Sequence, residues 1–390
     1  MHIEGLLLSC LGGFWNGVYP VPIKARSVLQ VSPHPIVFQC YKSFWVFVTG
    51  WLFVIARAIL AKDPAFEFTW WGTASAAAWI PSGLGTIAAV PRIGVAMALV
   101  VNCGTNTALS FVLGWLVLGD KMREQRVFGS QMIVAPFFLA CIVIGIAGLS
   151  FAPHIPLPKC CDKREAASVP PRKTERQRNQ PNDEGGPSPD HESAAIAAQL
   201  LSGNRDSEGV RSASIRIVTG FVLAFIAGVC STLQYLIIEF AKTYEQNKHG
   251  CHGHPDACPR ELKEKFNNFG SWMASFGIGA ALVTLMWLLG LTLHNKLCGD
   301  SWPLFHFPVL RGPGSLAGLY WCCGSFCTTA GVVSNGNATS MPCTLAVSIV
   351  TSGAFGVFYY KEMRSWRAFV WGLFVLWTLS SMILLSLQKA

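Results

Sequence analysis

The chain is 390 residues long, 52% hydrophobic and only 13% charged, with a formal net charge of +9. Its charges are so unevenly spread that residues 267–293 and 314–360 carry no Asp, Glu, Lys or Arg, and a segment of about 20 apolar residues crosses the hydrocarbon of a bilayer as a helix. The positive charge gathers at the edges of the apolar runs, which points to lipid headgroups and topology and away from nucleic acid. The absence of a phosphate-binding glycine loop, a nucleotide cassette or a supported nucleophile–base arrangement argues against an ATP-driven pump, an enzyme or a bound cofactor.

The apolar pattern predicts an all-α polytopic membrane protein of ten transmembrane helices. The first five spans fall at 3–23, 36–60, 70–91, 94–118 and 128–151. The first run has no basic flank before it and passes straight into polar Asn16 and Tyr19, so it reads as a true span and not a cleaved signal peptide. It carries Trp15, Asn16 and Tyr19, then Pro20, Pro22 and Lys24. Prolines break the helical ladder, which membranes tolerate where the loosened backbone is buried or lines water. Two readings stand: a bent helix lining a cavity, or an interfacial segment with Lys24 reaching the headgroups.

Gln39 in the second span is a further cavity candidate. In the third, Trp79 precedes Pro81, Ser82 and Gly83; such a ring either belongs to an interfacial tryptophan belt or faces a cavity, where it can stack on the apolar face of a sugar. The fourth span holds Asn102, Thr105 and Asn106 within one helical turn. Carboxamides in hydrocarbon are unfavourable unless paired, so they meet either another helix or a wet cavity with a ligand.

Residues 152–214 are rich in Pro, Ser, Gln and charge and poor in large apolar residues. Such a stretch buries too little surface to offset ordering entropy, and it reads as a disordered polar linker between a first domain, 1–151, and a second, 215–390, with a short helical piece near 192–202. The second half gives spans at 215–241, 268–293, 314–334, 337–360 and 367–387. The sixth carries Gln234, Tyr235 and Glu239. Glu239 is the candidate proton carrier, since an intramembrane carboxylate is functional by default, although Lys242 one turn on offers it an interfacial ion pair. The loop 249–258 contains His249, Cys251, His252, His254 and Cys258. Those types bind zinc or copper, a Cys251–Cys258 disulfide is an equal alternative, and a plain loop fits best because the spacing matches no standard zinc module; no metal is expected. Trp321 mirrors Trp79, and Asn335, Asn337 and Thr339 stand where the eighth and ninth spans meet, with Thr344 and Ser348 further in.

Residues 79–120 reappear without a gap at 321–362. Trp79, Thr86, Ala88, Val90, Gly94, Ala96, Ser110 and Gly114 meet Trp321, Thr328, Ala330, Val332, Gly336, Ala338, Ser352 and Gly356, all at an offset of 242. Five spans in each half make the halves inverted in the membrane, the build of many secondary transporters. The short basic loops 119–127 and 242–265 lie on the side of the termini, which favours cytosolic termini, while Lys361, Arg364, Arg367 and the long linker lie on the opposite side and favour the reverse.

These features together resemble the drug/metabolite transporter superfamily. "GGFWNGVYPVPIK" (12–24) and "AGVCSTLQYLIIEFAK" (227–242) resemble its L-rhamnose–proton symporter and glucose-uptake branch, and "GLYWCCGSFCTTAG" (318–331) with "GVFYYKEMRSW" (356–366) is similar to the eukaryotic transmembrane protein 144 relatives of that branch. The resemblance implies secondary transport of a small carbohydrate by alternating access, with proton or ion coupling. The sequence expectation is thus a multi-pass transporter whose partners are the lipid bilayer and a small polar substrate. Its binding residues would be Trp15, Asn16, Tyr19, Lys24, Gln39, Trp79, Asn102, Thr105, Asn106, Gln234, Tyr235, Trp321, Asn335, Asn337 and Thr339. The rival expectations are a nucleotide sugar, another metabolite or a cation as cargo, or a non-transporting membrane sensor or scaffold.

Overall fold

The computed structural model describes residues 3–60, 66–117, 124–127, 130–152, 207–248, 269–299, 301–335, 337–361 and 366–388. Among them are ten long helices: α1 (Ile3–Val18), α2 (Pro35–Leu60), α3 (Trp70–Ile93), α4 (Val95–Leu116), α5 (Ala135–Phe151), α6 (Ser207–Lys248), α7 (Phe269–Cys298), α8 (Phe307–Asn335), α9 (Asn337–Ala354) and α10 (Trp366–Ser386). A 3-10 turn, Val21–Lys24, and a short helix, Arg26–Val31, connect α1 to α2, and a π turn, Phe355–Tyr359, closes α9.

Seven of these helices, α1, α2, α4, α6, α7, α9 and α10, are long and apolar enough to cross a membrane. Their outward faces are as apolar as their inward ones: Leu7 and Leu11 on α1, Leu285, Met286 and Leu289 on α7, and Leu373 and Leu376 on α10 are all exposed. A helix facing water shows a polar stripe there, whereas one that is hydrophobic all round belongs in a core or in lipid. The chain is a multi-pass membrane protein whose described residues are almost entirely helical. Helix α5 is apolar but short, and α3 and α8 are long but less apolar than these seven. The composition of α3 explains its case: twelve of its 24 residues are buried, many of them Gly, Ser, Thr or Ala, so little of it needs to satisfy lipid.

Small residues let the helices meet closely. Gly13 and Gly17 of α1, four apart and so on one face, press against the Thr344 carbonyl and against Ser348 and Thr351 of α9. Gly12 beside them abuts Thr328 of α8, the small-residue packing typical of helices in membranes. Helix α1 packs on α8 and α9, and α6 on α3 and α4; α2 packs on α8, and α7 on α3; α2 meets α7, α4 meets α9, and α5 meets α10. This set of pairings is unchanged when every helix is exchanged for the one five places away in the chain.

Helices α3 and α4 are joined by the single residue Gly94, at φ 84° and ψ 164°. Glycine alone reaches that region without a clash of its Cβ. Pro81 and Pro91 sit inside α3, Pro313 inside α8 and Pro342 inside α9.

Two sequence expectations need correction. The fifth helix starts at Ala135, not 128, because Pro136 sets its first turn, and a two-stranded antiparallel hairpin, β1 (Glu124–Val127) and β2 (Ser130–Ile133), pairs Glu124 with Ile133 and Val127 with Ser130 ahead of it. The sixth helix begins at Ser207, so residues 207–214, assigned to the linker, are helical. The first span, Ile3–Lys24, agrees with the expected 3–23; its α-helix ends at Val18, where the Tyr19–Pro22 stretch breaks the ladder as its prolines predict. The rest of the linker, the 192–202 piece included, and the Cys/His loop lie outside the described residues.

Candidate functional site

A cavity of about 60 Å³ lies in the middle of the bundle, lined by Asn16, Tyr19, Trp79, Ser82, Gly83, Leu99, Asn102, Cys103, Asn106, Ser231, Gln234, Tyr235, Trp321, Met341, Thr344, Leu345 and Ser348. The lining comes from the end of α1 and from α3, α4, α6, α8 and α9. Ten of these residues form five pairs at the repeat offset of 242: Trp79 with Trp321, Leu99 with Met341, Asn102 with Thr344, Cys103 with Leu345, and Asn106 with Ser348. The volume has room for a few waters, so a sugar ring needs the walls to part.

The polar groups of the lining are bonded between helices. Asn106 is the most heavily bonded: its Nδ2 donates to Ser231 Oγ at 3.0 Å, and its Oδ1 accepts from Ser110 Oγ at 2.9 Å and Thr232 Oγ1 at 3.1 Å. One carboxamide thus ties α4 to α6. Asn102 Nδ2 donates to Thr86 Oγ1 of α3 at 2.9 Å, and Asn16 Nδ2 donates to Thr328 Oγ1 of α8 at 3.2 Å, so Thr86 and Thr328 (again a pair at the repeat offset) serve the two asparagines. Thr344 Oγ1 donates to the Ser9 carbonyl at 3.1 Å and Ser348 Oγ to the Gly13 carbonyl at 2.9 Å. Interhelical bonding and cavity lining, the two alternatives for Asn102 and Asn106, therefore hold together.

Trp79 and Trp321 pack on each other, ring centroids 4.2 Å apart and planes at 35°, with Phe276 of α7 at 5.5 and 5.8 Å from them. They are only 2% and 6% exposed, which removes them from an interfacial belt.

The structure does not bring every expected residue to this place. Trp15 stacks on Tyr320 at 5.5 Å, turned away by the helical step that brings Asn16 inward. The Nζ of Lys24 lies over the Tyr360 ring at 4.9 Å, and the Tyr360 hydroxyl donates to the Val21 carbonyl at 2.6 Å, so Lys24 belongs to the joint below α1 and not to the cavity. Thr105 packs against Gly228, and Asn335 against Gly5 in the first turn of α1, both outside the lining. Gln39 is fully buried beside Gly83 but does not line the cavity. The side chains of Asn337, Thr339 and Glu239, and residues 249–258, lie outside the described set. Among the described residues no cluster of His, Cys, Asp or Glu could hold a metal.

No protein-family profile matches this chain, and no curated protein matches it significantly. Function has to be read from the site.

Lys42 of α2 is the group that the sequence reading passed over. It is 0% exposed, and its Nζ lies 4.7 Å from the Tyr19 ring centroid and 5.2 Å from that of Trp79, two rings of the cavity wall. Its Nζ finds no hydrogen-bond acceptor among the described residues. Cation–π attraction is worth about 2 kcal/mol when desolvated, while withdrawing an ammonium from water costs several kcal/mol even after relaxation, so the rings do not compensate its burial. The signal was available: Lys42 is the lone Asp, Glu, Lys or Arg between Arg26 and Arg57, and an ionisable residue inside a span marks a functional site.

Proposed function

We propose that this protein is a secondary transporter of a small carbohydrate, in which two inverted five-helix repeats, 1–151 and 215–390, form ten transmembrane helices and rock against each other to expose one central site alternately to the two sides. The observation that carries the reading is the cavity's lining by five residue pairs at a single sequence offset. A site shared by two inverted repeats near mid-membrane is the arrangement of many secondary transporters. The helix pairings, preserved on exchange of the halves, give the same support on the scale of the bundle. The resemblance to the rhamnose–proton symporter branch agrees with the lining chemistry. Asn16, Asn102, Asn106, Gln234 and Ser231 offer donors and acceptors for hydroxyls, and Trp79, Trp321, Tyr19 and Tyr235 offer apolar faces.

The test is uptake of a radiolabelled monosaccharide panel into proteoliposomes of the purified full chain, with and without an inward proton gradient. Saturable uptake of one sugar is the expected result, and a rise with the gradient would establish proton coupling. Uptake of no sugar by protein shown to be folded would refute carbohydrate transport.

A further inference from the structure

Two buried polar atoms behind the cavity wall have no hydrogen-bond partner among the described residues: Gln39 Oε1 and Lys42 Nζ, both on α2 and both from residues with no exposed surface. Folded proteins leave few such atoms unpaired, and each requires an explanation. The two residues are three apart, so their side chains share one helix face. Each stands immediately behind a lining residue. Lys42 Nζ lies over the rings of Tyr19 and Trp79, and a Cβ placed on Gly83 would run into Gln39 Oε1. Tyr19, Trp79 and Gly83 all line the cavity. One wall is therefore backed by a lone acceptor and a lone cation.

The surroundings of these atoms hold them there. The Gln39 amide donates from Nε2 to Ser43 Oγ at 3.3 Å, and Ser43 in turn shares a 2.7 Å hydrogen bond with Thr284 of α7. That chain engages the nitrogen and leaves Oε1 as the unused end. Around Lys42, Gly318 of α8 leaves room for the α2 backbone.

We propose that the cavity takes a sugar carrying a carboxylate, such as a uronic or aldonic acid, with Lys42 Nζ pairing the carboxylate and Gln39 Oε1 accepting a proton from a neighbouring hydroxyl. The proposal rests on the carbohydrate reading above and specifies its substrate class. A neutral sugar leaves the buried ammonium without a counter-charge. A phosphorylated sugar brings more charge than one lysine balances; Lys24, the other basic side chain expected at the site, stands against Tyr360, and Arg92 is exposed at the end of α3. A hydroxy acid supplies what the two atoms lack: an anion for the cation, and a hydroxyl donor for the amide oxygen. The separation of these atoms from the cavity by two rings means that Tyr19 and Trp79 move when the substrate enters.

The experiment compares uptake of radiolabelled D-glucuronate, D-glucose and D-glucose 6-phosphate, at equal concentration, into proteoliposomes of the full chain and of Lys42→Met, Lys42→Arg and Gln39→Leu. Wild-type protein is expected to take up glucuronate saturably and at least about tenfold faster than either other sugar. Lys42→Met loses that preference, Lys42→Arg retains it in part, and Gln39→Leu raises the KM for glucuronate. Wild-type uptake of glucose with no preference for glucuronate overturns this proposal and leaves carbohydrate transport standing. Preference for the phosphorylated sugar overturns the carboxylate assignment. Uptake of none of the three by protein with its native helix content overturns this proposal, and carbohydrate transport falls with it only where the whole monosaccharide panel is refused as well. Should Lys42→Met fail to fold, the wild-type preference alone decides, and an undiminished preference in a folded Lys42→Met protein removes Lys42 from the site.

Discussion

The contact between Trp79 and Trp321 offers the most direct test of the cavity, because it couples two residues 242 positions apart through one ring–ring face. At 4.2 Å between centroids and 35° between planes the rings are close and tilted. Aromatic pairs contribute about 0.5–1.5 kcal/mol beyond their area burial. Phe276 lies 5.5 Å from Trp79 and 5.8 Å from Trp321, so each ring keeps one aromatic neighbour when the other is removed. A double-mutant cycle with Trp79→Leu and Trp321→Leu, which retains apolar bulk, should therefore report a coupling of about 1 kcal/mol, roughly a fivefold change in the ratio of folded to unfolded protein. The assay is reversible unfolding in mixed micelles followed by near-ultraviolet circular dichroism. Additivity within about 0.3 kcal/mol, the behaviour of distant and independent sites, would mean that the rings do not meet and that the cavity is not built as described. On the proposed transport function, each single variant should also lower sugar uptake, since both rings line the cavity.

Asn106→Ala removes the donor to Ser231 and the acceptor for Thr232; at roughly 0.6 kcal/mol per interhelical bond in a membrane, the loss in the same unfolding assay should be close to 1 kcal/mol, with no loss at all arguing that α4 and α6 are not joined there. Gly94→Ala forces a Cβ onto a backbone at φ 84° and ψ 164°, a region that costs of order 1–3 kcal/mol outside glycine; the variant should unfold earlier in denaturant while keeping its helix content, and wild-type stability would show that this joint is not held as the structure has it.

The helices were legible because apolar runs of this length have one solution in lipid, and α2, α3, α4 and α10 begin or end within a few residues of where the runs predict. The β1–β2 hairpin was not, since Glu124–Val127 and Ser130–Ile133 continue into the fifth apolar run and only Pro136 marks where a helix can start. In the site, Asn16, Tyr19, Trp79, Asn102, Asn106, Gln234, Tyr235 and Trp321 were expected and do line one cavity. The misplacements have a common source. Asn335 was favoured for its chemistry, whereas the repeat offset applied to Asn102 and Asn106 lands on Thr344 and Ser348, which face the cavity. Ser231 and Lys42 needed the packing, because nothing in a single helix says which neighbours surround it.

Helices α3 and α8 supply the cavity's two tryptophans, yet neither is apolar enough to rest in lipid unaided. That has a consequence for how the protein is made. Helix α8 packs most extensively on α1 and finds it already in place when it leaves the ribosome, whereas α3 packs most extensively on α6, which does not yet exist. The nearest shelter for α3 is α4, itself apolar and joined to it through Gly94 alone. If all ten helices cross the bilayer, as the proposed architecture has it, α3 and α4 would enter as a hairpin, and the small polar face of α3 would wait there until the second half of the chain is synthesised. The first five helices made without the last five would keep that face open to lipid, a surface for quality-control machinery to read.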